Sequence, residues 1–440
     1  MVVNVVNVVT NAQAVADRYA EFSWWQARGR SPAHEELTAR ISQDAEYCDL
    51  LSGALPVGDK QQPDLLLAAV RYLDGPHAEQ GPHGEAAYGR WREWTIRHWD
   101  EVRAVIMRRS ARTDEPARCA TLLPLLARLP QPLALLEIGT SAGLCLHPDR
   151  YRYRHHDRSS AGYDDGVISG APQSPVTFAC RTNGEPAGAV RAPAGTAGAT
   201  ALGTAAEAAV EEAGRPFAAP EVVWRAGIGP DPLDPVADAD DLRWLQALVW
   251  PGDGERAARL AAAVEAVRPF PRPRIRRGDP VDELPALAAE APPEATLVVF
   301  HTTALGSLPP ARREEFARVV RSLLAARPSP GHWISHEHHT VLPWITAPAH
   351  RSLRPEDSHL LTLALDEHPV ALTGRYSEAG RADAYGRDGR FGQEGGDSPH
   401  GEYGQYGQYG QYGQTLYWLQ EEKSAGAADR SEDRTAQLDD

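Results

Sequence analysis

The sequence from Leu133 to Leu144, LALLEIGTSAGL, decides the fold of this chain. Its first four residues form an apolar run typical of a buried strand, and the acid Glu137 follows this run. A Gly-x-Ser-x-Gly turn then extends from Gly139 to Gly143. Because glycines let backbone N–H groups approach a ligand at the carboxyl end of a central strand, the stretch predicts an α/β sheet with a ligand site at this strand end.

Three interpretations of this turn remain open. In the first, Glu137, Gly139, Ser141 and Gly143 belong to the nucleotide loop of a methyltransferase fold that binds S-adenosylmethionine. The sulfonium donor is already activated, so such a protein mainly positions the methyl group. In the second, Ser141 is the nucleophile on the strained elbow of an α/β-hydrolase. In the third, the turn only packs a helix closely against a strand, since five-residue matches of this kind also arise by chance.

The hydrolase hypothesis needs an acid and a histidine after Ser141 in the chain. Asp279 or Glu337 together with His400 satisfies this order, but no His-Gly-Gly motif precedes the turn to supply an oxyanion hole. The sequence therefore favours the methyltransferase hypothesis over the hydrolase one.

Composition and charge narrow the function classes. The chain has 440 residues, enough for two or three units, and a formal net charge of −15. This acidic balance argues against nucleic-acid binding, because no basic excess is available to neutralise phosphates. The apolar segment from Val2 to Val9 contains two asparagines and is too short to span a bilayer. We expect a cytoplasmic protein that acts on a small molecule, without a membrane or nucleic-acid partner.

Histidine and cysteine patterns do not predict a metal site. The four cysteines are widely spaced without a Cys-x-x-Cys pair, so they indicate neither a zinc knuckle nor a disulfide framework. His336 and His338 share one face of an extended segment, but a third ligand such as Glu337 would reach the same metal only if the backbone bends. We expect a solvated histidine-rich loop and no metal.

The hydrophobic periodicity divides the chain into units. Residues 1–115 have helical spacing and predict an N-terminal helical cap domain. Residues 116–377 alternate short apolar strands with helices, which predicts a doubly wound, mostly parallel, Rossmann-like sheet with an Ala/Gly/Pro-rich insertion at 159–220. A low-complexity insertion with Tyr-Gly-Gln repeats follows at 378–414, then a final edge strand at 415–420 and a disordered acidic tail at 421–440.

Acidic or polar residues recur at the carboxyl ends of the predicted strands: Glu137, Asp231, Asp279, His301 and Glu337. Open parallel sheets bind ligands along this edge. On the methyltransferase hypothesis, Glu137 and the turn amides contact the amino-acid end of the cofactor, and Asp279 meets the adenine. His301 and Glu337 are candidate catalytic residues that face the substrate, where either would act as a general base.

Several long motifs resemble the uncharacterised bacterial family called domain of unknown function 2332. They are QPDLLLAAV, LALLEIGTSAGLCLHPDRYRY, WRAGIGPDPLD, RWLQALVWP, RRGD, VVFHTTAL and SPHG followed by YWL. The resemblance implies a fold similar to class I S-adenosylmethionine-dependent methyltransferases, hence a methyltransferase-like sheet and S-adenosylmethionine as the cofactor. It does not imply activity, because the family is uncharacterised.

The chain departs from the family pattern at two positions of the expected site. An Asp is usual at the position of Gly229, and an aromatic residue is usual at that of Ser307. In methyltransferases the acid that ends the second strand holds the ribose hydroxyls, so Asp231 is the candidate substitute. The departure at Gly229 also leaves open the alternative hypothesis that the chain is a non-catalytic ligand-binding protein with a degenerate methyltransferase fold.

Overall fold

The computed structural model describes residues 11–77, 84–157, 166–182, 217–350, 360–377 and 412–418. The predicted low-complexity insertion and acidic tail lie almost wholly outside the described residues, as does most of the predicted insertion at 159–220. The helices are α1 (Asn11–Glu21), α2 (Pro32–Gln43), α3 (Ala45–Ala54), α4 (Pro63–Tyr72), α5 (Glu85–Arg97), α6 (Trp99–Arg108), α7 (Cys119–Leu126), α8 (Ala239–Ala247), α9 (Gly254–Val267), α10 (Pro280–Ala288), α11 (Pro310–Ala325) and α12 (Pro343–His350).

The strands form one 11-stranded mixed sheet, in the order β3-β2-β4-β11-β10-β9-β8-β7-β1-β5-β6. They are β1 (Leu133–Ile138), β2 (Arg152–Asp157), β3 (Val167–Gly170), β4 (Thr177–Thr182), β5 (Val222–Gly229), β6 (Arg274–Arg277), β7 (Thr296–Thr302), β8 (Gly331–His338), β9 (Leu361–Leu365), β10 (His368–Ser377) and β11 (Tyr412–Trp418). The five strands from β8 to β6 are mutually parallel. The prediction of an α/β protein with N-terminal helices and a large, mostly parallel sheet is therefore confirmed.

The outer part of the sheet differs from the sequence-based expectation. Strands β8, β9, β10 and β11 pair antiparallel in succession, and β11 then pairs parallel with β4. The prediction that the last strand lies at an edge is wrong, because β11 lies between β10 and β4 inside the sheet. Strands β3 and β4 lie within the segment predicted as an insertion. Together with β2, which precedes this segment, they extend the sheet beyond β11.

Strand β1 lies inside the sheet, and it is covered on both edges by neighbouring strands and on both faces by apolar side chains. It pairs in parallel with β5 on one side and with β7 on the other. Leu133 and Leu135 pack in the apolar cluster that includes the N-terminal helices, whereas Ala134, Leu136 and Ile138 pack in a second cluster with α10 and α11. A strand buried on both faces reads as a continuous apolar run, which is why this segment was recognisable in the sequence.

A segment from Ser110 to Arg118, here called the strap, connects the N-terminal helices with the sheet. Its Ser110 N–H donates to Asp231 Oδ2 at 3.1 Å, after β5. At its other end, Arg118 Nη1 donates to the Thr302 carbonyl and hydroxyl oxygens, both at 3.0 Å, in β7. The strap thus crosses the carboxyl edge of the parallel strands.

Among the described residues, no helix is long and apolar enough to cross a membrane.

Candidate functional site

A pocket of about 390 Å³ opens at the carboxyl ends of β1, β5, β6 and β7. We call it the strand-edge pocket. Its walls include Arg112 of the strap, Gly139, Gly229, Gly278, Asp279 and Ala304. Apart from Arg112, these residues lie at or just after strand ends, because parallel strands present all their carboxyl ends, and the loops that follow them, at one edge of the sheet.

The glycine turn after β1 has the close backbone approach that its sequence predicts. Gly139 and Gly143 adopt φ values of 79° and 70°, which L side chains rarely adopt. A Cβ on Gly139 would lie 2.3 Å from Ala304 Cβ, so any side chain there would collide with the pocket wall. The N–H groups of Gly139 and Thr140 both donate to the Ile228 carbonyl, at 2.8 and 3.0 Å, which fixes the turn against β5.

Residues of the strap accept hydrogen bonds from the remainder of the turn. Asp114 Oδ2 accepts from the N–H groups of Ala142 and Leu144, at 3.0 and 3.1 Å. Ser141 Oγ donates to the Arg112 carbonyl at 3.3 Å, and the Ser141 side chain is buried. Four amides from the segment Gly139–Leu144 therefore already have acceptors within the protein.

Glu137 is a buried acid beside Asp114. Burial, with the nearby Asp114 carboxylate, raises the pKa of Glu137 to about 8, although the Thr140 hydroxyl and the Arg118 charge act in the opposite direction. Burial also raises the pKa of Asp114. Thr140 Oγ1 lies 3.0 Å from Glu137 Oε2. At neutral pH Glu137 is therefore a neutral carboxylic acid, and its predicted contact with the cofactor stays a prediction.

Replacing Glu137 by Gln is expected to change how stability depends on pH. The folded pKa of about 8 lies above the unfolded value of about 4.3, so the folded state holds an extra proton between these values. The wild-type stability is therefore full below about pH 4.3, falls progressively as the pH rises towards 8, and levels off above 8. Glutamine has the shape of a protonated glutamate but cannot ionise. We therefore expect the Glu137→Gln variant to be more stable than the wild type by about 2 kcal/mol or more at pH 9, and the two proteins to have nearly equal stability at pH 4.5.

Urea denaturation at several pH values, followed by circular dichroism, measures this difference. The exposed Glu93, whose side chain is 69% accessible, provides the control: Glu93→Gln should follow the wild-type profile. A Glu137→Gln profile parallel to the wild type would show that Glu137 is ionised in the fold.

The end of β5 has no carboxylate that points into the strand-edge pocket. A Cβ on Gly229 would lie 1.9 Å from the Thr140 carbonyl oxygen, so the turn of this chain excludes an acid at that position. Asp231, the candidate substitute, accepts from Ser110 N at 3.1 Å and from Arg277 Nη2 at 3.1 Å. Its predicted ribose contact stays a prediction, and it would compete with these two bonds.

Asp279 lies in the pocket wall after β6, where the sequence places it. Its Oδ1 accepts from Val281 N at 2.8 Å and thereby caps the N-terminus of α10. The same oxygen accepts from Arg312 Nη2 at 2.6 Å. The Asp279 side chain is 36% accessible, so a helix cap and a contact with a ligand in the pocket are compatible.

His301 and Glu337 form a buried pair behind the pocket wall. His301 is 0% and Glu337 1% exposed. Trp333 Nε1–H donates to His301 Nε2 at 3.0 Å, so the proton of a neutral His301 is on Nδ1, which donates to Glu337 Oε1 at 2.8 Å. Glu337 Oε1 also accepts from the Ala304 and Leu305 N–H groups at 2.8 and 3.0 Å. The pair therefore fixes the loop after β7, and its predicted catalytic role stays a prediction.

The prediction of a solvated histidine-rich loop is wrong for His336, which lies in β8 and is 1% exposed. The rings of His338 and His339 lie 3.9 Å apart. His336 Nε2 bonds Thr373 Oγ1, and burial together with the Arg118 charge lowers its pKa to about 3, so its imidazole is neutral. His338 instead bonds Thr340 at the end of β8. Within the described ranges, no group of three or more His, Cys, Asp or Glu residues could hold a metal ion.

Sequence reasoning missed two residues of this site, Arg112 and Asp114. Both lie in the strap, whose sequence Arg112-Thr113-Asp114-Glu115-Pro116 signals only a break between helices. Their roles depend on contacts with residues 28 to 195 positions away, so no local pattern could indicate them. The predicted residues Glu137, Ser141 and Asp231, in contrast, do lie around the carboxyl ends of β1 and β5 as expected.

The fold and the pocket define the chain as an α/β protein with a small-molecule-sized pocket at the carboxyl edge of its parallel strands. Residues 16–388 match the family described as "Uncharacterized protein conserved in bacteria (DUF2332)", and the chain belongs to this family. No curated protein and no solved structure shows significant similarity to the chain.

Proposed function

We propose that the chain is a methyltransferase-like protein that binds S-adenosylmethionine in the strand-edge pocket and acts on a small molecule. The position of the pocket carries this proposal. Its walls come from the ends of β1, β5, β6 and β7. Strands β1 and β7 are neighbours in the sheet, but five strands of the described sheet lie between them in the chain, and two of these, β5 and β6, belong to the parallel unit. This is the switch point at which doubly wound sheets bind nucleotide ligands.

The strand order supports the proposal as well. Numbered by their order among themselves in the chain, the parallel strands β6, β5, β1, β7 and β8 have the order 3-2-1-4-5, which is that of doubly wound nucleotide-binding folds. The pocket volume of about 390 Å³ lies within the range of about 300–1,000 Å³ for small-molecule sites. Asp279 lines the pocket and in this proposal meets the adenine, and the Glu337–His301 pair holds the wall formed by Ala304 and Leu305.

In this proposal the protein contributes positioning rather than covalent chemistry. S-adenosylmethionine supplies an activated methyl group, so the pocket has to hold the sulfonium in line with the acceptor. His301 lies behind the wall with both ring nitrogens bonded, and we assign it and Glu337 the role of positioning residues. The acceptor would approach from the open side of the pocket.

Filling the pocket is expected to abolish binding of S-adenosylmethionine and S-adenosylhomocysteine. Ser307 is an exposed wall residue, so Ser307→Trp adds an indole at the pocket without a change in the backbone. Isothermal calorimetry should show saturable binding to the wild type and at least about tenfold weaker binding to Ser307→Trp, because the indole takes the volume of the ligand. Ala258→Trp, on the exposed face of α9, is the matched control and should bind like the wild type.

Absence of binding to the folded wild-type protein would overturn the proposal. Equal binding by Ser307→Trp would place the ligand elsewhere on the protein. Binding of the cofactor without methyl transfer to any acceptor would favour the non-catalytic alternative, a degenerate site that retains the pocket.

The serine hydrolase alternative finds less support. Ser141 Oγ is bonded to a backbone carbonyl of the strap, and among the described residues no histidine bonds to this hydroxyl. Its candidate acids have other partners, since Asp279 caps α10 and Glu337 binds His301, while His400 lies outside the described residues. Labelling of Ser141 by a fluorophosphonate probe would revive this alternative.

A further inference from the structure

Arg112 is the charged residue of the strap that lines the strand-edge pocket. Its guanidinium lies beside the first glycine of the turn, because its Nη1 is 3.8 Å from the position that a Cβ on Gly139 would take. Nη2 donates to Ser307 Oγ at 2.7 Å on the opposite wall. The side chain thus spans the pocket from β1 to the loop after β7.

The guanidinium of Arg112 has no ion-pair partner in the part of the chain that the structure describes. Asp59 and Glu337 favour its charge from a distance, whereas its hydrogen bond to Ser307 goes to a neutral hydroxyl. The other arginines around the pocket differ: Arg277 pairs with Asp231 at 3.1 Å, and Arg312 pairs with Asp279 at 2.6 Å. A guanidinium carries five N–H donors and stays charged, and partial burial without a counter-charge is unfavourable.

Four of the six backbone amides from Gly139 to Leu144 already have acceptors and are not free to bind an anion. Gly139 N and Thr140 N donate to the Ile228 carbonyl, and the Asp114 carboxylate occupies the amides of Ala142 and Leu144. These are the groups that a glycine-rich turn ordinarily offers to a negatively charged ligand. Asp114 would also repel a second carboxylate at the same amides. An anionic ligand group is therefore directed to the other end of the turn, where Arg112 lies.

We propose that Arg112 is the specificity-determining residue of the strand-edge pocket and binds a carboxylate of the ligand. The inference rests on the proposed function for the nucleoside part of that ligand and deepens it, because it assigns the amino-acid end of the cofactor to the strap and not to the turn amides. A bidentate guanidinium–carboxylate contact fits the two nitrogens of Arg112 that face the pocket.

The test compares two nucleosides that differ in the amino-acid end. S-adenosylhomocysteine carries the carboxylate, whereas 5′-methylthioadenosine lacks it. We expect the wild type to bind S-adenosylhomocysteine about tenfold to a hundredfold more tightly than 5′-methylthioadenosine, the range for hydrogen bonds to a charged group. Arg112→Met should remove this preference and leave the affinity for 5′-methylthioadenosine unchanged. Arg112→Lys should restore part of it, since it keeps the charge but not the planar fork.

Arg277→Met is the matched control, because it removes an equal charge from the same pocket but from an arginine that already has a carboxylate partner. It should leave the ratio of the two affinities within about threefold of the wild type, as expected for an exposed ion pair. Selective loss of S-adenosylhomocysteine binding in Arg277→Met, with normal binding in Arg112→Met, would overturn the assignment to Arg112.

Two further outcomes separate this inference from the proposed function. Equal affinity of the wild type for both nucleosides would overturn the role of Arg112 while the nucleoside site stands. If neither nucleoside binds, the proposed function fails, and malonate then tests Arg112 alone. Malonate should raise the thermal midpoint of the wild type but not of Arg112→Met, and an equal effect on both proteins would overturn the carboxylate site.

Discussion

Gly229→Ala is expected to lower the free energy of unfolding by about 3 kcal/mol or more. The new Cβ would lie 1.9 Å from the Thr140 carbonyl oxygen and 3.1 Å from its carbonyl carbon. Both atoms belong to a backbone that cannot easily move, because Gly139 N and Thr140 N are bonded to the Ile228 carbonyl. Overpacking commonly costs about 1–3 kcal/mol, and a clash with fixed backbone lies at or above the upper end of this range.

Urea denaturation of wild type and variant, followed by tryptophan fluorescence, measures the loss. Gly53→Ala is the matched control, since Gly53 lies on the exposed side of α3 and a Cβ there meets nothing within 4 Å. This control should gain about 0.5–1 kcal/mol, because alanine has the higher helix propensity. Equal stability of Gly229→Ala and wild type would show that the turn can separate from β5.

The same clash bears on the ribose carboxylate of methyltransferases. Gly229→Asp places an acid where the second strand of such enzymes has one, but it also adds the Cβ that the turn excludes. We therefore expect Gly229→Asp to be at least as unstable as Gly229→Ala. The proposed binding mode therefore requires a ribose contact from a group other than residue 229.

Glu337→Ala is expected to lower the free energy of unfolding by about 3–5 kcal/mol. One oxygen of Glu337 accepts from His301 Nδ1, Ala304 N and Leu305 N, and the residue is 1% exposed. Alanine would leave these donors without an acceptor in a buried position, and each unsatisfied donor costs about 1–3 kcal/mol. Glu337→Gln keeps one oxygen at the site and should lose less.

Hydrogen exchange distinguishes the local effect from a general loss of stability. The amides of Ala304 and Leu305 should lose protection in Glu337→Ala under conditions in which the strand β1 amides remain protected. Glu93→Ala, which removes one partner of an exposed ion pair with Arg97, should change stability by less than about 0.5 kcal/mol. Unchanged protection of Ala304 and Leu305 would contradict the role of Glu337 as the anchor of the pocket wall.

Local sequence patterns predicted the strands around the site, but not the contacts that complete it. Three local signals lie where they were expected: the apolar run of β1, the apolar start of β5 at Val222, and the glycines of the turn. Asp114 contacts amides 28 and 30 residues away, and Arg112 contacts Ser307 at a separation of 195. Such contacts arise only when the chain folds back, so spacing in one sequence cannot reveal them.

The same reason explains the error about the last strand. Its composition correctly indicated a strand near Thr415, and nothing in that composition specifies its neighbours. Pairing with β4 in parallel and with β10 in antiparallel orientation is set by the whole sheet. Both faces of β11 are covered as well, since Leu416 and Trp418 on one face and Thr415 on the other are all buried.

The internal position of β11 has a consequence for how the protein is made. Strands β2, β3 and β4 are synthesised early, yet β11 is the only strand through which they join the parallel strands in the described sheet. A nascent chain that ends before Tyr412 therefore holds two separate sheet fragments, with unpaired edges at β4 and β10. Open edges recruit other strands, so we expect the chain to be most prone to aggregation in the interval before β11 emerges from the ribosome.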